Sequence, residues 1–303
     1  MNSPFFTSII GAGLATLVGA WIAQKIAITS SQRDEMLKEL RSVNLAITLA
    51  FSITNSFFSA KKQFVSALVM DYDESRKRFL SEFQARKFSN QLGREPIYVE
   101  GNFISFEFPE IPLSSLEQII LEKISIRTRP LAAFGALRDA YVNVNSSIRV
   151  RQSMLEDFKL KFSPYVYFAV KNGRNLDQRY AHTIEGIGSY TDDGIFFSKL
   201  LCEDLQKYGS ELALIFKKKY KIEPPVMSQV NFSSAIVQGL MPFDKEYRSW
   251  MDGFVVPQSK ISGLMKFILR IRLYTLFLAP THILWVAVDF VFVAVFLLLA
   301  VIG

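Results

Sequence analysis

His182, Glu185, Asp192 and Asp193 fall in one short stretch and form the densest set of ligating side chains in the chain. One imidazole with three carboxylates is a donor set that suits a divalent cation. The same residues also have a plainer reading. Asp192-Asp193-Gly194 ahead of an apolar run starting at Ile195 is the pattern of a tight turn and helix N-cap, and that structural reading is the expectation. Little other chemistry is available. His182 and His282 are the two histidines and Cys202 is the lone cysteine, so an intrachain disulfide and a Cys/His cluster are excluded. Cys202 sits beside Leu200 and Leu201 on an apolar helix face and is expected to be a buried, inert thiol. The GxxxxGK[ST], HExxH and GxSxG signatures of nucleotide hydrolysis, zinc proteolysis and α/β-hydrolase chemistry do not occur. The chain is expected to carry no catalytic, cofactor or metal site. A membrane-bound enzyme using Asp192 and Asp193 is the least favoured alternative.

Charge is more informative by where it is missing. The 303 residues are 50% hydrophobic and 21% charged with a net charge of +7. That is too apolar for an ordinary soluble or disordered chain and too poor in Gly and Pro for a fibrous one. No charged side chain occurs from Met1 to Gln24, and from Leu273 to Gly303 the only one is Asp289. Spanning a bilayer core takes about 20 apolar residues as a helix. Phe5–Ile26 and His282–Ile302 both qualify. Basic residues follow the first (Lys25, Arg33, Lys38, Arg41) and precede the second (Lys266, Arg270, Arg272). Because basic flanks stay cytoplasmic, both spans place their outer ends on the far side of an inner membrane and the middle of the chain in the cytosol. The missing basic start argues against a cleavable signal. Ser42–Ala60, also uncharged but carrying Asn44, Asn55 and several Ser and Thr, is expected to be a buried helix and not a third span.

Inside the expected spans, Gly11, Ala15 and Gly19 recur every four residues on one face, a spacing that lets helix backbones approach closely in lipid. Asp289 is costly within a span and tolerated when it faces protein or water. Lys25 near the cytoplasmic boundary, another subunit or lumen water are its possible partners, and a protonated, merely packed Asp289 is the alternative. Lys266, Arg270 and Arg272 interrupt an apolar face in Ser262–Leu278, which reads as an amphipathic helix lying on the inner leaflet. Lys217-Lys218-Lys219 with Lys221, and Arg76-Lys77-Arg78, either attract phosphates and anionic lipid or balance nearby acids on a solvated surface.

The elements that must position these residues are mainly helical. Residues 1–28 form the first span and 29–80 a long helical stretch. Within it Leu37, Leu40, Asn44, Ile47, Phe51, Thr54 and Phe58 make a three-and-four seam. The seam suits either a core helix or a parallel oligomeric stalk with a register-setting Asn. Residues 81–260 form a mainly α cytosolic domain, with a β-hairpin expected over 96–109 around Glu100-Gly101-Asn102. Helices are expected from Leu113, over Pro130–Phe162 and from Ile195 to about Tyr220. Residues 261–279 are the basic juxtamembrane helix and 282–303 the second span.

In this architecture of terminal spans, helical cytosolic middle and absent catalytic signatures, the chain resembles the two-helix membrane effectors of bacterial anti-phage systems such as retrons. The resemblance covers the whole chain without a specific motif. It implies an effector that damages the inner membrane once infection is sensed, working with inner-membrane lipids, as a homo-oligomer, and under a cytosolic protein or ribonucleoprotein regulator; no direct nucleic-acid site is evident. A membrane-tethered scaffold recruiting a cytosolic partner is the alternative.

Overall fold

The computed structural model describes residues 4–89, 97–99, 101–126, 128–171 and 175–254, with side chains for Thr16 and from residue 18 onward. The expected segments 261–279 and 282–303 lie outside the described residues, and Lys266, Arg270, Arg272 and Asp289 with them. The chain divides into two units, Met1–Arg248 and Ser249–Gly303.

The first unit is built on long helices. Helix α1 runs unbroken over Pro4–Ala60, 57 residues, and crosses the expected boundary at residue 28 without interruption. Its Pro4 sits in the first turn, where a missing N–H costs nothing. No Gly or Pro occurs between Gly19 and Gly93. Hydroxyls along α1 bond back onto carbonyls four residues earlier: Thr29 to Lys25, Ser42 to Lys38 and Thr54 to Ala50. These hydroxyls are thus satisfied within the helix. A π turn, Lys61–Val65, leads into α2 (Ser66–Phe88). Then follow α3 (Leu113–Glu122), α4 (Arg129–Leu160), the single turn α5 (Pro164–Tyr167) and α6 (Arg179–Tyr220).

Helix α6 lies between α1 and α4 and makes its largest interfaces with them. This central position explains why residues on several sides of it, among them Ile187, Ile195, Leu201, Leu205 and Phe216, are buried. The α1 seam is filled from within the chain. Leu40, Ile47 and Thr54 are fully buried. The Asn44 amide donates to the Val226 carbonyl (2.9 Å) and accepts from the Ser228 N–H (2.8 Å). Of the two readings of this seam, the core helix is the one observed. Ser42–Ala60 likewise has Ala46, Ala50, Ile53 and Phe57 fully buried. Contact is closest at Gly194, where a Cβ would lie 2.1 Å from the buried Phe57 ring.

Two expectations are corrected. Asp192-Asp193-Gly194 is not a turn or N-cap: α6 begins at Arg179 and carries the triplet in its interior. A Gly inside a helix costs about 1 kcal/mol relative to Ala, and at Gly194 the close approach of Phe57 requires it. The hairpin expected over 96–109 is not seen either: 97–99 and 101–109 form no strand, and no strand occurs among the described residues. The stretch 101–112 is laid over α4 instead. In extended chain, carbonyls two residues apart face the same edge. Arg151, 1% exposed, places its guanidinium along that edge and donates to the Asn102 and Ile104 carbonyls, both at 2.7 Å. Gln152 donates to the Phe106 carbonyl (3.0 Å), while the Phe106 and Phe108 side chains are buried. The fork of an arginine replaces the edge of a partner strand.

Arg151→Met leaves the Asn102 and Ile104 carbonyls without their shared donor and is expected to cost about 1–3 kcal/mol, with 101–112 becoming the first site of limited proteolysis. Gly194→Val drives a side chain into Phe57 and is expected to cost about 2–3 kcal/mol in thermal unfolding of the full chain in detergent.

Candidate membrane interface

Among the described residues one helical run, Val18–Phe88, is long and apolar enough to cross a membrane, and half of its most apolar window is buried in the protein's own core. That buried part coincides with the α1 core segment described above. The N-terminal part behaves differently. All of residues 18–29 are exposed, and they include Val18, Trp21, Ile22, Ile26 and Ile28, with Ile26 64% exposed. A soluble helix turns such residues inward. Here they project on every side of the helix. From Phe5 to Ile26 the helix rises about 33 Å, against a hydrocarbon thickness of about 30 Å.

Gly11, Ala15 and Gly19 lie on this part of α1. A Cβ at Gly19 would meet no atom within 4 Å, so Gly19 itself is open to a close neighbour. Lys25 extends its ammonium over the Trp21 ring, 5.2 Å from the centroid. Trp with Lys one turn on is a pair suited to the lipid headgroup level, where an amphipathic ring and a snorkelling cation both find partners.

Just beyond, the C-terminal end of α6 meets α1. Lys219 donates to Gln32 Oε1 (3.0 Å) and lies 5.1 Å from the Tyr220 ring centroid. Lys217 pairs with Glu223 (2.7 Å) and Arg33 with Asp34 (3.1 Å). Among the described residues Lys25, Lys218, Lys219 and Lys221 have no carboxylate partner, so a ring of net positive charge surrounds the point where the exposed apolar helix leaves the body. Part of this charge complements the carbonyl end of α6. Immediately inside the ring, the Glu39 carboxylate accepts from Tyr208 (2.6 Å) and from the Ser125 N–H (2.7 Å), tying α1 to α6 and to the α3–α4 connection. Arg76-Lys77-Arg78 is not part of the ring: it lies about 65 Å further along the helical run, and Arg76 donates to the Phe168 carbonyl (3.0 Å).

The ligating stretch on α6 lines a different feature, a cleft of about 680 Å³ bordered by α2, α6 and Asp244–Tyr247. His182 and Asp193 are about 16 Å apart along the helix axis, too far to share one cation. No group of three or more His, Cys, Asp or Glu among the described residues is placed to hold a metal ion. Asp192 binds the Lys61 ammonium at 2.5 Å, and Lys61 also donates to the Leu240 carbonyl (3.1 Å). Asp193 accepts from the Tyr247 hydroxyl (2.9 Å), whose ring stacks on Phe196 at 3.7 Å. Burial raises the Asp193 carboxyl above the usual range against the opposing Tyr247 hydrogen bond, and Asp192 and Glu246 add to the rise. Cys202 is fully buried, and burial pushes its thiol up to about 12. The Lys61 and Tyr247 pairings connect segments distant in the sequence, and no spacing rule points to them. The basic ring was visible as Lys217–Lys221, but its meeting with Lys25 and Arg33 was not.

Comparison with protein-family models, with curated proteins and with solved structures gives no match.

The folded state holds the Asp193 proton more tightly than the unfolded chain does. Its contribution to stability is therefore complete below about pH 4 and is lost as pH rises through the raised folded value. In Asp193→Asn the amide oxygen still accepts from Tyr247. The variant is expected to be at least as stable as wild type at pH 7, and to lose less stability between pH 4 and 7 in thermal unfolding followed by circular dichroism.

Proposed function

We infer that this chain is a membrane-anchored effector of bacterial defence, held by terminal spans in the inner membrane with both ends outside and the helical body in the cytosol, and that it permeabilises that membrane when triggered. The observation carrying the reading is the exposed apolar stretch of α1, which continues without a break into the buried core. A helix of this kind transmits any displacement of the body directly to the bilayer. The Gly19 face supplies a surface on which copies of α1 pack closely, with Asp289 and Lys25 as the polar groups of the assembled bundle. Basic residues on the cytoplasmic side, Lys266, Arg270 and Arg272 included, fix orientation and hold the leaflet. A cytosolic protein or ribonucleoprotein keeps the assembly silent.

The cleft on α2 and α6 favours a second reading, a membrane-tethered scaffold that recruits a partner there. Replacing both spans by unrelated apolar helices separates the two: a scaffold keeps its function and a permeabilising effector loses it.

Induced expression of the full chain, followed with a potential-sensitive dye, is expected to depolarise cells. Gly19→Leu and Asp289→Ala are expected to remain in carbonate-washed membranes yet depolarise at least tenfold more slowly. Cells that stay fully polarised while the protein accumulates in the membrane contradict the effector reading.

A further inference from the structure

Where α6 ends against α1, a groove of about 450 Å³ is lined by Lys25, Ile26, Thr29, Ser30 and Arg33 on one side and by Tyr220 and Ile222 on the other. The geometry points to this groove as a binding site for an anionic phospholipid of the cytoplasmic leaflet, an inference that rests on the membrane reading of α1.

The groove is amphiphilic along its length. Toward the N-terminal end of α1 it offers Ile26, continuous with exposed Ile22, and across from them Ile222, 46% exposed. These are surfaces for an acyl chain. Its cations flank this apolar surface, Lys25 beside Ile26 and Arg33 two turns further along α1, with Lys219 and Lys221 on the α6 end. Apart from the Arg33–Asp34 pair, these cations have no carboxylate among the described residues. A zwitterionic headgroup brings its own cation into such a site and is repelled in part; a headgroup with net negative charge is not. The Tyr220 hydroxyl at the groove is buried without a hydrogen-bond partner, and Lys219 lies across its ring. When Lys219 turns toward a phosphate, that donor is opened to the same oxygen atoms.

Lys221 adds a separate observation. It caps α6 in the left-handed region, φ 59°, with its N–H donating to the Lys217 carbonyl. Glycine is the residue suited to that position. The chain places a lysine there at a conformational cost, and the αL turn directs the following Ile222 onto the groove. Lys221→Gly therefore removes a charge while relieving the backbone, so a loss of lipid binding in this variant is not a loss of fold.

The test uses the full chain extracted from carbonate-washed membranes into neutral detergent and titrated with phosphatidylglycerol or phosphatidylcholine under native mass spectrometry. Wild type is expected to retain phosphatidylglycerol at least tenfold more tightly than phosphatidylcholine. Lys221→Gly and Lys219→Gln are each expected to weaken that retention about fivefold, with phosphatidylcholine unchanged. Inorganic phosphate and glycerol phosphate at equal concentration are expected to leave the bound lipid in place. Their displacing it would assign the site to a free anion and overturn the lipid assignment. Equal retention of the two lipids, or retention of phosphatidylglycerol unaffected by both substitutions, overturns the site while leaving α1 in the membrane. Release of the protein by carbonate overturns the membrane reading and this site with it.

Discussion

An α-helix satisfies its backbone polar groups from within, and so it is one of the few elements that can pass from a packed core into hydrocarbon without exposing them. We propose that α1 does this, and the fold of the body sets how it can. Between Gly19 and Ala60 α1 contains no Pro and no further Gly, and it runs as unbroken α-helix through Ser30-Ser31. The first departure from α geometry is the π turn at Lys61–Val65, beyond the core segment. The packing of Leu40, Ile47 and Ile53 against the body therefore fixes the direction in which the apolar end projects. Along this one helix the exposed apolar stretch ends at Thr29 and full burial begins at Leu40.

The body is arranged to hold that helix. Central α6 reaches α1 closely through Gly194, and the Glu39 contacts fasten α1 just inside the basic ring. Asp192 and Asp193 hold Lys61 and Tyr247, pairings that tie remote segments of the distal bundle together. At the distal end Tyr72, Phe158, Tyr167, Phe168 and Tyr180 form a continuous aromatic cluster, and the Tyr72 hydroxyl donates to the Tyr167 carbonyl (3.1 Å). Rings of this size pack in few arrangements, which suits a body that must stay rigid against a lever.

Helical class and the positions of α3, α4 and the long N-terminal run were legible in the sequence, because apolar spacing and the distribution of Gly and Pro report on local geometry. The Asn44 seam was legible as a seam, but whether its partner was another chain or this one depended on Val226 and Ser228, which no local pattern connects to it. The hairpin expectation failed for a related reason. Alternation around Glu100-Gly101-Asn102 describes an extended segment correctly and says nothing about what pairs with its edge; Arg151, remote in sequence, took that place. Asp192-Asp193-Gly194 misled because turn-forming residues were weighed without the tertiary contacts that hold them in a helix. The basic ring shows the same limit: each lysine was visible, and their convergence on Lys25 was not.

The central claim is that residues before Lys25 lie in hydrocarbon while the body stays in water, and accessibility measured residue by residue tests it directly. Spin labels placed singly at Val18, Ile22, Ile26, Thr29 and Arg33 of the full chain in lipid vesicles would be probed with oxygen and with a water-soluble nickel relaxant. A bilayer-inserted α1 gives high oxygen and low nickel accessibility at positions 18 and 22, crossing over near 26–29 and reversing at 33. Nickel accessibility at 18 and 22 equal to that at 33 would mean that this helix stands in water.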